Sequence, residues 1–302
     1  MSRGTERGAL VGGFGAVSAV LAMGVPCAGA IIPPGLAARA ESLEWLTPWT
    51  GVGEQDIDTG AWVGPGRGAE AFASMTSSGE TAATSFAHYG FLASTASTMG
   101  SYSVPAGSKG YMQAITRSSF RDDQVVVSST TVPNGQAGTL VAEYSFDQII
   151  DFDLTALAGF SGDAVIVGGY SVDLIIGSHT ASYTGTWTYD AVTGILVEPS
   201  LPSGVIQVAV PFTYGVPLTI ACGVEMKLTT YLEGPASASA DVEFSLGPSF
   251  IWQGITDGLP DDATASSPSV PDWRSPYGIP APGAGAMALL TAAGVAARRM
   301  RR

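Results

Sequence analysis

Two histidines, His88 and His179, and the cysteine Cys222 are the side chains of this sequence whose types suit nucleophilic chemistry. A serine or cysteine nucleophile needs a base within hydrogen-bond reach, so either histidine would have to meet its nucleophile through the fold. Both lie in Ser-, Thr- and Ala-rich stretches that read as strand, and neither a G-x-S-x-G elbow nor an H-E-x-x-H pair occurs. Each histidine therefore reads as a surface or hydrogen-bonded polar residue. Two distant histidines and one cysteine in an apolar row do not make a zinc site. No glycine-rich loop follows a strand in the manner of a nucleotide fingerprint.

Carboxylates are the more plentiful chemistry. Two acids roughly 5–10 Å apart could hydrolyse a glycoside, and Glu143, Asp173, Glu225, Asp241 and Glu243 are the candidates, although they equally form the polar face of a strand array. Hard cations take oxygen ligands. Calcium is thus the one cofactor the composition suits, with Asp56 and Asp58 in one acidic segment, Asp147, Asp151 and Asp153 in a second, and Asp257 to Asp262 in a third. None has the spacing of an EF-hand, and the ordinary reading of each is a solvated acidic loop. Trp252 and Tyr111 could stack on sugar rings or pack in a core.

The elements that would position these groups are strands. Strict alternation marks a half-buried strand, and five segments show it. Leu140, Ala142, Tyr144 and Phe146 oppose Glu143, Ser145 and Asp147; Tyr170, Val172, Leu174 and Ile176 oppose Ser171 and Asp173. Ala181, Tyr183, Trp187 and Tyr189 alternate with Ser and Thr, and Leu218 to Leu228 places Cys222 in an apolar row. Ala236 to Leu246 completes the set. Turn signals separate them at Pro133-Asn134-Gly135, Thr193-Gly194, Pro202-Ser203-Gly204, Tyr214-Gly215 and Glu233-Gly234-Pro235. With shorter runs at 85–95, 110–120 and 124–132, the pattern predicts an all-β antiparallel sandwich, jelly-roll-like, with about eight or nine strands over residues 80–256. Residues 31–79, carrying Trp45, Trp49 and Trp62, read as an N-terminal extension packed on it, with two turns of helix from Ala37 to Leu46. Residues 257–278 read as an extended Pro/Ser/Asp stalk.

The two ends carry addresses. Arg3 and Arg7 precede an apolar run from Ala9 to Val25, and Ala28-Gly29-Ala30 is an A-x-A site, so residues 1–30 read as a signal peptide for the Sec signal peptidase. Pro26 stands where a lipobox before Cys27 needs a small residue. Cleavage would leave Cys222 without a disulfide partner. At the other end, Ile279-Pro280-Ala281-Pro282 leads into an Ala- and Leu-rich run from Gly283 to Ala297, then Arg298, Arg299, Met300, Arg301 and Arg302. The arginines fit the cytoplasmic side of a membrane. The run falls short of the ~20 residues that cross a bilayer comfortably, which suits a transient, processed helix better than a permanent stop-transfer anchor.

Loss of both ends removes six arginines and one acid, Glu6, moving the net charge from −13 to about −18 over about 250 residues. Such a surface, with only Lys109 and Lys227 for lysines, repels phosphate backbones and excludes nucleic acid as a partner class.

The C-terminal segment 279–302, with Pro280 and Pro282 around Ala281, the apolar run and the four arginines, resembles the PEP-CTERM sorting signal of Gram-negative bacteria, with Ala281 where the type motif has Glu. The series Val210-Pro211-Phe212-Thr213-Tyr214-Gly215, Val216-Pro217-Leu218, Ala236 to Asp241 and Gly254-Ile255 is similar to the β-rich ectodomains upstream of such tails. The resemblance implies export, a membrane-embedded exosortase-like processing enzyme, and delivery to the cell surface or exopolysaccharide matrix. The expectation is a structural or adhesive protein without catalytic activity. The other reading is a carbohydrate-binding sandwich, or a glycan-degrading enzyme, with extracellular polysaccharide as partner.

Overall fold

The computed structural model describes residues 32, 34–47, 54–61, 69–75, 80–104, 109–153, 163–190, 195–197, 204–233 and 238–276. Fourteen strands run through them: β1 (Gly35–Thr47), β2 (Glu54–Ala61), β3 (Ala69–Met75), β4 (Glu80–His88), β5 (Phe91–Val104), β6 (Lys109–Ser128) and β7 (Ala137–Asp153), then β8 (Asp163–Ile176), β9 (His179–Asp190), β10 (Ile195–Val197), β11 (Gly204–Thr213), β12 (Leu218–Glu233), β13 (Ala238–Asp257) and β14 (Thr264–Ser266). No helix occurs among the described residues, and none there is long and apolar enough to cross a membrane. The expected signal peptide and sorting helix, with Ala28, Ala30, Pro280, Pro282 and the four terminal arginines, lie outside the described residues.

Every pairing is antiparallel. The first sheet has the order β10-β9-β8-β12-β6-β1-β2, with β14 also paired to β6; the second has the order β11-β7-β13-β5-β4-β3. From β5 to β9 the chain changes sheet at every step until β8 and β9 pair within the first sheet, and β11, β12 and β13 alternate again.

The alternation read from the sequence is the alternation of burial. Leu140, Ala142, Tyr144 and Phe146 of β7, Tyr170 to Ile176 of β8 at every second position, and Leu218 to Leu228 of β12 all join one core between the sheets. Its centre is aromatic. Phe120 of the first sheet meets Phe250 of the second with ring centroids 5.8 Å apart, Tyr144 stacks on Phe250 at 5.8 Å, and Phe146 meets Tyr183 edge-on at 5.2 Å. Stacked, tilted and edge-on pairings at such centroid distances are favoured geometries of aromatic quadrupoles. The alternating apolar rows of β13 upstream of Ser249 lie outside the side chains described.

Four expectations are corrected. Ala37 to Leu46 is strand: β1 pairs with β6 from Gly35 to Thr47 and with β2 on its other side. Ala, Leu, Glu and Arg favour helix by tenths of a kcal/mol each, and pairing on both edges outweighs that. Residues 31–79 are accordingly no appended extension, since β1 and β2 extend the first sheet and β3 the second; Trp49 and Trp62 lie outside the described residues. Residues 257–276 form no stalk but a strap across the domain: β14 pairs with Val126, Val127 and Ser128 of β6, and Trp273 is 1% exposed. Ten strands, β4 to β13, fall between residues 80 and 257, where about eight or nine were expected.

Candidate functional site

The strap stands a few residues upstream of the Pro280-Ala281-Pro282 segment. Its anchor is Trp273, whose ring meets Trp252 of β13 at 90° and 5.5 Å and Phe120 at 6.2 Å. The Trp252 indole N–H donates to the Trp273 carbonyl at 3.0 Å, and the Trp273 amide donates to the Ala265 carbonyl at 2.7 Å. Arg274 turns back so that Nη1 reaches the carbonyls of Ala263 at 2.5 Å, Asp261 at 3.3 Å and Pro260 at 3.4 Å. One guanidinium thus ties three carbonyls of the segment that leads into β14. Beneath the strap, the carboxylate of Asp122, 4% exposed, accepts the Ser267 hydroxyl at 2.5 Å and the Gln124 amide at 3.1 Å.

Asp262 fastens the strap to the loop between β6 and β7. Its carboxylate accepts the hydroxyl of Thr130 at 2.5 Å and that loop's amides, Thr130 at 2.6 Å and Thr131 at 3.0 Å, and also the hydroxyls of Ser129 and Thr131 at 2.9 Å each. These bonds, the Thr130 hydroxyl foremost, hold its carboxyl far below the usual carboxylate range. A group depressed in the folded state contributes its stability above its unfolded pKa, about 3.9, and loses it as pH falls toward the folded value. We expect the denaturation midpoint to be insensitive to this group from neutrality down to about pH 4 and to fall below it. Asp262→Asn should flatten that acid limb in denaturant titrations between pH 7 and 2.5; an unchanged limb would remove Asp262 from the strap's fastening.

The residues singled out for chemistry are not gathered. His88 ends β4 in the second sheet, with Nδ1 3.1 Å from the Tyr89 carbonyl, whereas His179 opens β9 in the first. Cys222 is fully buried in β12, and burial pushes its thiol up, with Asp173 adding to the effect. Inert packing is what such a thiol does. Glu225 pairs with Arg117 at 3.0 Å, Asp173 accepts Ser182 at 2.5 Å, and Glu143 accepts the Gln207 amide at 2.5 Å, so these carboxylates tie neighbouring strands. Glu143 belongs to the second sheet and the other two to the first.

Two of the three calcium segments are strand, not loop; in the third, Asp257 ends β13 and Asp262 is taken up by Ser129, Thr130 and Thr131. Asp56 and Asp58 lie in β2 opposite Ser42 and Ala40, while Asp147, Asp151 and Asp153 lie in β7 opposite Ser249, Ser245 and Glu243. Among the described residues no group of three or more His, Cys, Asp or Glu is placed to hold a metal. Trp252, considered for sugar stacking, is 1% exposed and committed to the core.

Sequence reasoning missed Trp273 and Arg274 because Pro, Ser and Asp dominate their neighbourhood. The available signal was a lone tryptophan in a polar stretch. No protein-family model matches this chain, and no curated protein matches it.

Proposed function

We propose that the protein is an exported β-sandwich of jelly-roll topology, delivered to the cell surface or extracellular matrix by a PEP-CTERM-like C-terminal signal and serving there as a structural or adhesive module without catalysis. The jelly-roll reading is supported by strand order. β5, β13, β7 and β11 in one sheet and β6, β12, β8 and β9 in the other follow the nested sequence that two Greek keys generate, with β1–β4, β10 and β14 added at the margins.

The observation that carries the functional reading is the position of the strap. The described domain runs to Pro276, clasped at Trp273 and Arg274, and Ile279-Pro280-Ala281-Pro282 follows within a few residues. A closed domain followed within a few residues by two prolines, an apolar run and four arginines suits presentation of that segment to a membrane-embedded processing enzyme such as an exosortase, since proline biases its neighbour away from helix. Cross-strand ties account for Glu143, Asp173 and Glu225 without assigning them to substrate. The large negative charge suits a hydrated polysaccharide matrix.

The test is the intact mass of the protein recovered from the surface or medium of cells that make it. We expect a species lacking residues 1–30 and the C-terminal segment near 279–302, and retention of that segment when Arg298, Arg299, Arg301 and Arg302 are all replaced by Ser. A surface species with the tail intact would overturn sorting and leave a simple anchored protein.

A further inference from the structure

Among the described residues the two sheets present four edges, β2, β3, β10 and β11. Acids blunt two of them: β2 carries Glu54, Asp56 and Asp58, and β3 carries Glu70. β10 has three residues. β11 has ten, Gly204–Thr213, with no charged side chain in a chain of net charge −13. Long uncharged edges are what natural sheets ordinarily avoid, because their free N–H and C=O groups template another strand.

The backbone parity of β11 can be read from its end. The Tyr214 amide donates to the Gln136 carbonyl, and Thr213 is in register with Ala137, so even-numbered residues of β11 bond to β7 and odd-numbered ones point their amides away. Pro211, which lacks an amide proton, falls on an outward position as a strand proline must. The outward amides and carbonyls of Val205, Gln207 and Ala209 find no strand among the described residues.

We infer that β11 pairs with β11 of a second copy, antiparallel and with the two-fold axis at Gln207. In that register Val205 meets Ala209 of the other copy, Ile206 meets Val208, and Gln207 meets Gln207, so like faces like at every position. The large hydrophobics most exposed among the described residues include Val205, at 57%, which this pairing covers, and the half-buried Ile206 and Val208 extend the core across the seam. Registers centred nearer the C-terminus of β11 recruit Pro211 and lose a bond. Repulsion is small, because the two copies of Glu143 stand three strand spacings apart, roughly 14 Å, beyond the ~8 Å screening length. The pairing joins two six-stranded sheets into one.

The test is site-specific disulfide formation in the full-length chain under a mild oxidant, with the unsubstituted chain as blank. At the two-fold axis, Gln207→Cys puts the α-carbons of the two copies about 5.5 Å apart, inside the range a disulfide spans. Val205→Cys puts them about 14 Å apart along the strands. We expect covalent dimer from Gln207→Cys at least ten-fold faster than from Val205→Cys. Adding Ala209→Pro, which removes one outward amide and no bond to β7, should cut that rate at least ten-fold with the melting temperature preserved. Val205→Asp, at an exposed position, should do the same should the proline variant fail to fold. Equal linkage of the two cysteines, no linkage, or linkage undiminished by both variants would overturn the inference.

Discussion

Trp273→Ala should lower the unfolding free energy by about 3–5 kcal/mol, the range for removing a fully buried large aromatic ring. Trp273 is 1% exposed between Phe120 and Trp252, and its carbonyl is the acceptor of the Trp252 indole. Truncation therefore opens a cavity and loosens a buried donor together. Against a typical domain stability of about 5–15 kcal/mol, such a loss is visible as a large drop in the urea midpoint. The expected pattern has two parts: early protease sensitivity between residues 257 and 276, then a weakened global transition. A loss below about 1 kcal/mol would mean that the strap lies on the domain without completing it.

Gly254→Ala should cost about 2–4 kcal/mol for a different reason. Gly254 sits at a register shift of β13 with φ +106°, a conformation that L side chains rarely adopt, and a β-carbon there would be driven into the backbone carbonyl of Arg274. Left-handed strain of about 1–2 kcal/mol adds to overpacking of similar size. Gly135→Ala is the control, because φ is +87° there and the space around it is open, so strain acts alone at about 1–2 kcal/mol. Thermal unfolding of the two variants separates the terms. Equal destabilisation would show that the strap can shift to admit a methyl group.

Sequence alternation revealed the central strands because those strands are buried on one face, and the row from Leu218 to Leu228 is the clearest instance. The turns at Gly135 and Gly215 were equally legible, since both adopt positive φ. β1 was not legible, because Ala37 to Leu46 holds helix formers and acquires its conformation from two partners far along the chain. The strap was hidden for a related reason. Its order comes from one tryptophan, one arginine and borrowed carbonyls, none of which leaves a period in the sequence. The acid residues misled in the opposite direction: Asp147 to Asp153 looks like a loop by composition, yet it continues a seventeen-residue strand. Alternation specifies a face and carries no chemistry.

The nesting of the strands also sets a timetable. Alanine 93 of β5 finds its partner at Ser249 of β13, and the strands between them close within that outermost pair. Contacts so far apart in sequence must meet the entropy of closing long loops before they are rewarded, which makes such chains slow to fold. The strap follows β13 and docks on β6, so the domain cannot be completed until nearly all of the chain has been delivered to the same compartment. Under the export proposed above, with the chain threading through the membrane from its N-terminus, the C-terminal apolar segment would still be at the bilayer when Trp273 reached its seat. Release before that moment would set free an open-sided sheet; a tail that holds the chain at the membrane gives the last strand time to close it.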